Sequence, residues 1–533
     1  MKTANMLVAA SLAALFGAQG TIAQPGQART PPEQLGKVHF ATSCSPAVEK
    51  RFDRALALLH SFWAKDAIEG FNGVLREDPG CAIAYWGIAM SMQQNPLTGQ
   101  APNAGATKDA LTGLDRAKTI GAKTQRERDY IAAIDLIYRD ADKIEFRSRR
   151  LAYEKAMEAL AKRYPDDTEA AIFHALSLDM TAQLTDKTYA NQLKAAAILE
   201  KVLKQQPGHP GVAHYLIHSY DYPPIAERGL PAARLYAQIA PNHPHALHMP
   251  SHIFTRRGIW QDSIDANLRS AAAAKAEGNG QEQAHAMDYL VHAYLQLGAD
   301  ADAKRVVAES ASISVNPAIF IGHYALAAMP ARYALERRAW AEAMMLQPRS
   351  TPFLFPDAIT HFARGLGYAR TGDTVSARKE ESRLAQLRDG LVDQKNTYWS
   401  NQVEVQRLAV NGWIALAQRA QVDALKSMRA AADLEDSMEK HIVTPSSVVP
   451  ARELLGEMLL EVRQPAEALK AFEASAQREP NRFRGVYGTA QAAALSGDRA
   501  KARMYYAKFI ALTGKADRAR PELQLAKAYL AQR

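Results

Sequence analysis

Small, bulky apolar and helix-ending residues recur along the chain at fixed spacings. At Ala67, Phe71 and Pro79, an alanine is followed four positions later by a bulky apolar residue and eight positions further by a proline. The same spacing occurs in two more triplets, Ala195, Leu199 and Pro207, and Ala468, Phe472 and Pro480. Side chains four residues apart share one face of a helix, and proline is disfavoured in a helix interior. The pattern therefore predicts repeated helices rather than strands.

A second periodic feature marks the turns between these helices. A glycine is followed five residues later by a small residue in four pairs: Gly258 and Ser263, Gly298 and Ala303, Gly372 and Ala377, and Gly497 and Ala502. Glycine ends a first helix without steric cost, and the small residue lets a second helix pack closely. These features resemble the tetratricopeptide repeat (TPR), a helical hairpin of about 34 residues. We therefore expect an all-α, TPR-type solenoid, a right-handed superhelix with a concave groove.

Proline-rich joints and shifts in composition suggest how the chain is organised. In chain order we expect a signal peptide at 1–23, a flexible lead at 24–36, a TPR-like solenoid at 37–440 with histidine-rich groove repeats at 208–310, and C-terminal TPR repeats at 441–533 that continue the stack. Pro445 and Pro450 mark the joint before these last repeats.

The N-terminus has the features of a cleaved export signal. Lys2 supplies a positive flank, an apolar run covers residues 6–16, and small residues near Ala23 suit a signal peptidase. This apolar run is too short for a stable membrane anchor, and no other segment approaches the roughly 18 apolar residues that an anchor needs. We expect a periplasmic or secreted protein that is not an integral membrane protein.

The chain contains only two cysteines, Cys44 and Cys81. Export places them in an oxidising compartment, where the only two thiols of a chain tend to oxidise to a disulfide. We expect a disulfide between them that staples the N-terminal repeat. The alternative is two separate thiols.

Charge and motifs argue against several classes of function. The 65 basic and 56 acidic residues leave a net charge of +9, without the basic tract or aromatic-plus-basic pattern typical of nucleic-acid binding. The sequence also lacks a phosphate-binding glycine loop, a Gly-x-Ser-x-Gly elbow, a His-Glu-x-x-His motif and a Cys-x-x-Cys motif. We therefore expect no nucleic-acid partner and no conventional hydrolase or nucleotide chemistry.

Five segments resemble a group of exported bacterial TPR proteins. They are TSC at 42–44, PGCAIAYWG at 79–87, HYLIH at 214–218, HMPSHIF at 248–254 and PARELLG at 450–456. The resemblance covers nearly the whole mature chain and implies the fold and export more strongly than any function. Residues 95–98 depart from the group, which has a histidine before the proline and an aromatic residue after the leucine.

Nine of the 15 histidines fall between residues 209 and 292. Alignment of the turn residues gives three consecutive repeats the same polar positions. His214, His248 and Asp288 share one position; His218, His252 and His292 share another; and His245 and His285 share a third. Tyr220 and Asp221 follow two and three residues after His218. Spacings of three and four residues place these side chains on one helical face, which in TPR proteins lines the groove.

This face has the chemistry of a transition-metal site. Several imidazoles with one or two carboxylates suit Zn, Cu, Fe or Ni better than Mg or Ca, and a histidine pair at i and i+4 can hold one ion. The predicted ligands are His214, His218, His248, His252, His292 and Asp288. Further groove candidates are Asp221, His245, His285 and Tyr220.

Three functions are compatible with this site. The first is a scaffold or binding protein whose groove holds a peptide, protein or small molecule beside the metal. The second is a metal-dependent enzyme with its active site in the groove. The third is peptide or anion binding by partly protonated imidazoles without metal.

The alignment of the histidines near Pro250 depends on where the helix begins. Either a helix begins at Pro244 and kinks at Pro250, or it begins at Pro250.

Overall fold

The computed structural model of this protein describes residues 33–514, 516–517 and 520–532. Within these ranges the chain forms α-helices and short 3-10 turns and has no strand. The predicted signal peptide and residues 24–32 of the predicted lead lie outside the described residues. The rest of that lead is fixed to the solenoid, since Leu35 is buried and the amide of Lys37 donates to the carbonyl of Gly208 at 2.9 Å.

The helices of the first half are α1 (Glu49–His60), α2 (Ala64–Glu77), α3 (Ile83–Ser91), α4 (Ala104–Ile120), α5 (Gln125–Tyr138), α6 (Phe146–Arg163), α7 (Thr168–Thr181), α8 (Ala190–Gln205), α9 (Pro210–Tyr220), α10 (Leu230–Ile239), α11 (Pro244–His248), α12 (Pro250–Arg257) and α13 (Trp260–Ala276). Those of the second half are α14 (Gly280–Leu297), α15 (Asp300–Ser310), α16 (Phe320–Glu336), α17 (Trp340–Met344), α18 (Leu354–Thr371), α19 (Thr374–Asp393), α20 (Thr397–Ala417), α21 (Gln421–Asp436), α22 (Ala451–Glu461), α23 (Pro465–Arg478), α24 (Phe483–Leu495), α25 (Arg499–Leu512) and α26 (Pro521–Ala531).

The helices stack in sequence, and the periodic residues explain how. Helices adjacent in the chain pack as pairs, such as α13 with α14 and α20 with α21, and alternate helices such as α14 and α16 also touch. Phe71 fills the space beside Gly87, where an added Cβ would lie 2.4 Å from its ring. Phe472 does the same beside Gly456 and Gly488. The predicted all-α, TPR-type helical solenoid is confirmed.

The turn glycines adopt the backbone conformation that their spacing predicts. Gly258 ends α12 with φ 63°, and Gly298 ends α14 with φ 71°. This left-handed region costs glycine little, whereas most other residues are strained there. These two turns fix where the helices that carry the histidines stop.

The C-terminal repeats return to the middle of the solenoid. The indole Nε1 of Trp260 donates to the carbonyl of Asn481 at 2.7 Å, and the amide of Phe483 donates to Gln296 Oε1 at 3.0 Å. Farther along, the amide of Asp517 donates to the carbonyl of Gly298 at 3.0 Å. The C-terminal helices therefore pack against the region of α12–α14, far from them in sequence.

Residues 437–450, between α21 and α22, contain no α-helix and cross to the histidine-rich helices. We call this segment the strap. Its anchor is Glu435, whose two carboxylate oxygens accept hydrogen bonds from Ser447 Oγ and the amide of Ala451, each at 2.7 Å. The joint predicted from the prolines is therefore an ordered part of the histidine region.

Glu435, the residue that anchors the strap, should make the free energy of unfolding depend on pH. Burial raises the pKa of Glu435 to about 7, above its ordinary 4.5, despite the hydrogen bonds from Ser447 and Ala451. A raised carboxyl pKa stabilises the fold below the unfolded pKa, and this stability is lost as pH rises through about 7. We expect Glu435→Gln to match the wild type in urea unfolding at pH 4 and to exceed it at pH 8 by about 3 kcal/mol. Equal midpoints at pH 8 would contradict the assignment.

Cys44 and Cys81, which are 37 positions apart in sequence, form a disulfide with 4.8 Å between their Cα atoms. Both cysteines belong to the core formed by the first repeats. No helix in the described part of the chain is long and apolar enough to cross a membrane.

Loss of this disulfide is expected to weaken the N-terminal repeats. On the chain-entropy model, closing a loop of this length stabilises the folded state by about 3–4 kcal/mol. We expect the paired substitution Cys44→Ser and Cys81→Ser to lower the urea midpoint, and reductant to lower that of the wild type alone. If reductant leaves the wild-type midpoint unchanged, the bridge contributes nothing to stability.

Candidate metal centre

Four helices bring the histidine cluster together. His214 and His218 lie one turn apart on α9, all of whose residues are buried. His245 and His248 lie on α11, and His252 lies one turn later on α12. A sixth histidine, His285, comes from α14.

The backbone near Pro250 shows where the helices that carry His245, His248 and His252 begin, which the sequence left undecided. One helix begins at Pro244 and ends at His248, and the next begins at Pro250. Met249 between them keeps helical angles, φ −52° and ψ −38°, so the chain runs on in nearly the same direction. Both sequence alternatives are thus partly correct, and His248 and His252 still share one face.

The first group of histidines, which we call triad 1, consists of His214, His218 and His245. Their ring nitrogens all lie within 4.8 Å of one another, and all three residues are buried. The Nε2 atom of His214 lies 3.1 Å from Nε2 of His218 and 3.2 Å from Nε2 of His245. Three imidazole nitrogens around one tetrahedral ion, each about 2.0–2.1 Å from it, would be separated by roughly 3.3 Å.

The second group, triad 2, consists of His248, His252 and His285. Its ring nitrogens also lie within 4.8 Å of one another, and the residues are again buried. Nε2 of His248 lies 3.1 Å from Nε2 of His252, and the rings of His248 and His285 have centroids 4.3 Å apart. Triad 2 therefore repeats the arrangement of triad 1 one repeat later.

The positions of the protons in triad 2 follow from the neighbouring groups. Asn267 donates through Nδ2 to the carbonyl of Ser263 at 2.7 Å, so its Oδ1 faces Nδ1 of His248, also at 2.7 Å. Nδ1 of His248 must then be the donor. On the other ring, Nδ1 of His252 donates to the carboxylate of Asp221 at 2.9 Å. Both neutral rings therefore turn an unprotonated Nε2 toward each other.

Triad 1 is oriented in a similar way. Nδ1 of His214 donates to the backbone carbonyl of His60 at 2.7 Å, so Nε2 of His214 has its lone pair facing His218 and His245. The other ring nitrogen of His245 lies 3.6 Å from the carboxylate of Glu282. Acceptors placed on the far side of histidine rings are typical of metal-ligating histidines, because they fix the tautomer and the ring orientation.

Burial keeps the imidazoles of five of these residues neutral. It lowers the pKa of His252 to about 4, against the opposing effect of Asp221, and that of His285 to about 3. Burial, followed by the neighbouring histidines, also holds the pKa values of His214, His218 and His248 well below their ordinary range. Neutral imidazole is the form that binds metals.

The two triads are neighbours. The rings of His218 and His252 have centroids 5.8 Å apart, and those of His245 and His248 are 6.3 Å apart. Two ions held by the triads would therefore lie side by side. We refer to the six residues together as the paired triads.

A set of balanced charges lies behind the paired triads. Asp221 accepts hydrogen bonds from Arg256 Nε and from Lys440 Nζ of the strap, each at 2.8 Å, as well as from His252. Although burial opposes it, Lys440 and Arg256 hold the pKa of Asp221 well below its ordinary value. Burial lowers the pKa of Lys440 itself to about 8. The hydroxyl of Tyr289 in α14 contacts the strap by donating a hydrogen bond to the carbonyl of Thr444 at 3.1 Å.

The other residues predicted for the site lie outside both triads. Asp288 accepts a hydrogen bond from Arg332 Nε at 2.9 Å, and the ring of His292 packs edge-on against Trp260 at 5.3 Å. Tyr220 Oη donates to Glu200 at 2.5 Å. Asp221 lies behind His252 as its hydrogen-bond acceptor. His245 and His285, considered as further groove candidates, supply the third ring of each triad.

A buried hydrogen-bond network behind triad 1 was not predicted from the sequence. Glu169 bridges His60 and His209, with hydrogen bonds of 2.9 and 2.8 Å, and Nδ1 of His60 lies 3.0 Å from the hydroxyl of Tyr215. These contacts position the carbonyl of His60 that His214 uses. Asn267 and Lys440 were also not anticipated; Lys440 lies 219 residues after Asp221, beyond what repeat spacing can reveal.

Comparisons with known proteins bear on the fold alone. No family model matches the chain, and no curated protein matches it. Among solved structures, it is similar to the human IFIT1 dimer with PPP-AAAA and the human IFIT1 dimer with m7Gppp-AAAA. In both cases the identity is 13%, the match covers 81% of this chain and 90% of IFIT1, and the TM-score is 0.39. By the packing of its own helices, the described part of the chain is a TPR-like helical-repeat protein with two neighbouring groups of buried histidines.

Proposed function

We propose that this chain is an exported metalloprotein, of the bacterial TPR group that its sequence resembles, whose paired triads bind two transition-metal ions. The observation that carries the proposal is the contact in triad 2 between the unprotonated Nε2 atoms of His248 and His252 at 3.1 Å. Two buried acceptors face each other without a donor, an arrangement that costs free energy unless a cation lies between them. One ion in each triad would satisfy all six rings.

Copper suits this site best among Zn, Cu, Fe and Ni. Each triad offers three neutral nitrogens as ligands. The charges of Asp221, Arg256, Lys440 and Glu439, a strap residue 3.9 Å from Arg256, cancel, and Glu282 beside His245 adds one negative charge. The cost of burying an ion rises with the square of its charge, so a monovalent ion is favoured in such a place. Copper alone of these metals has a common monovalent state, and divalent copper binds nitrogen sites more tightly than the others.

Two neighbouring copper ions would favour the metal-dependent enzyme over the scaffold or binding protein. Three nitrogen ligands leave each ion an open position for an exogenous ligand. Held by the three rings of each triad, such a pair would supply two-electron oxidation chemistry, in which an organic substrate loses two electrons and two protons and dioxygen accepts them to give hydrogen peroxide. The metal-free, anion-binding hypothesis is disfavoured, because the depressed histidine pKa values leave few protonated rings at neutral pH.

Metal reloading tests the proposal. The purified protein is stripped with chelator, reloaded with copper or zinc, dialysed and analysed for metal. We expect about two copper ions per chain in the wild type and almost none in His214→Ala/His248→Ala, which removes one ring from each triad. His174→Ala, a histidine of α7 outside the site, is the control and should retain two. A wild-type protein that retains no metal would refute the metal centre.

Export is a separate part of the proposal. It is supported by the features of the N-terminal sequence and by the Cys44–Cys81 disulfide, which suits an oxidising compartment. Mass spectrometry of the protein from fractionated cells is expected to find a mature N-terminus just after Ala23 in the periplasm or medium. An intact N-terminus in the cytoplasmic fraction would contradict export.

A further inference from the structure

A pocket of about 340 Å³ opens beside triad 1, and His218 forms part of its wall. The opposite side is formed by α6, which contributes Arg147 and Arg150, and by Asp179 of α7. His218 is the one member of the paired triads that lines this pocket. The pocket therefore adjoins triad 1 at His218.

The pocket carries uncompensated positive charge. Neither Arg147 nor Arg150 forms an ion pair with a carboxylate anywhere in the described ranges of the chain, and Nε of Arg150 is buried without a hydrogen-bond partner. Its remaining polar contact is long, from Nη2 to the carbonyl of Pro96 at 3.4 Å. Burial lowers the pKa of Arg150 to about 10, so the guanidinium is still charged at neutral pH.

The acid in the pocket does not balance this charge. Burial raises the pKa of Asp179 well above its ordinary value, although Ser219 Oγ donates to its Oδ2 at 2.7 Å. This favours the uncharged form of Asp179, and neither arginine of the pocket forms an ion pair with it. Burial also lowers the pKa of His441, another wall residue, to about 3, so that ring is uncharged. The two arginines set the charge of the pocket, and an anion complements it.

The remaining wall is suited to a flat, partly apolar molecule. Tyr222, Tyr398 and Met438 line the pocket together with the ring of His441. Aromatic walls favour a ligand with a ring of its own, while a planar guanidinium pairs well with a carboxylate. Within the described residues, Nδ1 of His218 has no hydrogen-bond partner, unlike Nδ1 of His214, His248 and His252. His218, in the triad that the pocket touches, therefore lacks the hydrogen-bond acceptor that supports those three rings.

We propose that this pocket binds a small aromatic carboxylate through Arg150 and Arg147 and presents it to the metal centre beside His218. The identification of this ligand as the substrate rests on the proposed metal function. Binding of the anion itself does not, because the two arginines and the aromatic wall are independent of any ion.

Calorimetric titration with benzoate tests this inference on the full mature protein, both stripped and copper-loaded. We expect Arg150→Gln to weaken benzoate binding roughly ten- to hundredfold, since a charge-assisted hydrogen bond is lost. Arg163→Gln is the matched control, because this residue lies at the exposed end of the same helix and pairs with Asp129. It should change the affinity less than about twofold. Arg147→Gln provides a second variant in case Arg150→Gln unfolds, and circular dichroism reports folding.

The outcomes separate the two proposals. Benzoate binding that depends on Arg150 or Arg147 supports the pocket assignment, whether or not copper is retained. No benzoate binding by the wild type at millimolar concentration, or equal affinity in the wild type and both pocket variants, would overturn it. If benzoate binds as expected but neither triad retains metal, the metal function fails alone. If copper binds but benzoate does not, the pocket inference fails alone.

Discussion

Substitution of His285 by alanine is expected to reduce the copper content of the reloaded protein from about two ions per chain to about one. His285 supplies a ring to triad 2 only, and its loss leaves His248 and His252 as a two-nitrogen site. Residues that merely support a metal ligand cost about 10–100-fold in affinity when they are replaced. Loss of the ligand itself should weaken binding by at least the upper end of that range. Metal analysis after dialysis measures the effect.

His245→Ala is the reciprocal experiment. It removes the third ring of triad 1 and should leave the other ion in place. The two single variants would then each retain one ion, at different triads. Retention of two ions by both variants would show that the predicted third rings are not ligands, and His292 with Asp288 would then be the next candidates.

Metal binding is expected to raise the stability of the whole chain. An ion present at a hundred times its dissociation constant stabilises the folded protein by about 2.7 kcal/mol, so two ions give about 5 kcal/mol. The gain is large because the paired triads join α9, α11, α12 and α14, and the facing acceptors of His248 and His252 are unsatisfied without a cation. Thermal unfolding of stripped and reloaded protein should show a higher midpoint with metal, and chelator should reverse it.

The matched control for this measurement is the variant His214→Ala/His248→Ala. With one ring missing from each triad, its midpoint should not move when copper is added. An equal shift in the variant and the wild type would mean that copper stabilises the protein from elsewhere on its surface.

The sequence predicted the fold well because repeat spacing is a local property. Ala67, Phe71 and Pro79 mark a helix pair, and Phe71 indeed packs against the next helix at Gly87. Gly258 and Gly298 end helices where their spacing placed them. In a solenoid each unit packs mainly against its neighbours, so short-range patterns determine most of the architecture.

The candidate site was predictable only in part. The helical spacing of His214 with His218, and of His248 with His252, placed each pair on one face, and the structure brings each pair together. Which third ring joins each pair depends on the offset of α11 and α14 along the axes of the neighbouring helices. The position of a residue within its repeat does not determine that offset. His285 rather than His292 joins triad 2 for this reason.

Contacts across long stretches of sequence were beyond prediction. Lys440 reaches Asp221 because the strap crosses to the histidine-rich helices, and Glu169 of α7 reaches His60 of α1 because both helices pack against α9. Neither contact leaves a periodic trace in the sequence.

Anomalous X-ray diffraction from crystals of copper-loaded protein, collected at the copper edge, tests the central claim most directly. The account predicts two strong peaks per chain, one in each triad, each about 2.0–2.1 Å from the Nε2 atoms of its histidines. Peaks confined to other parts of the molecule, or no peak within the paired triads, would contradict it.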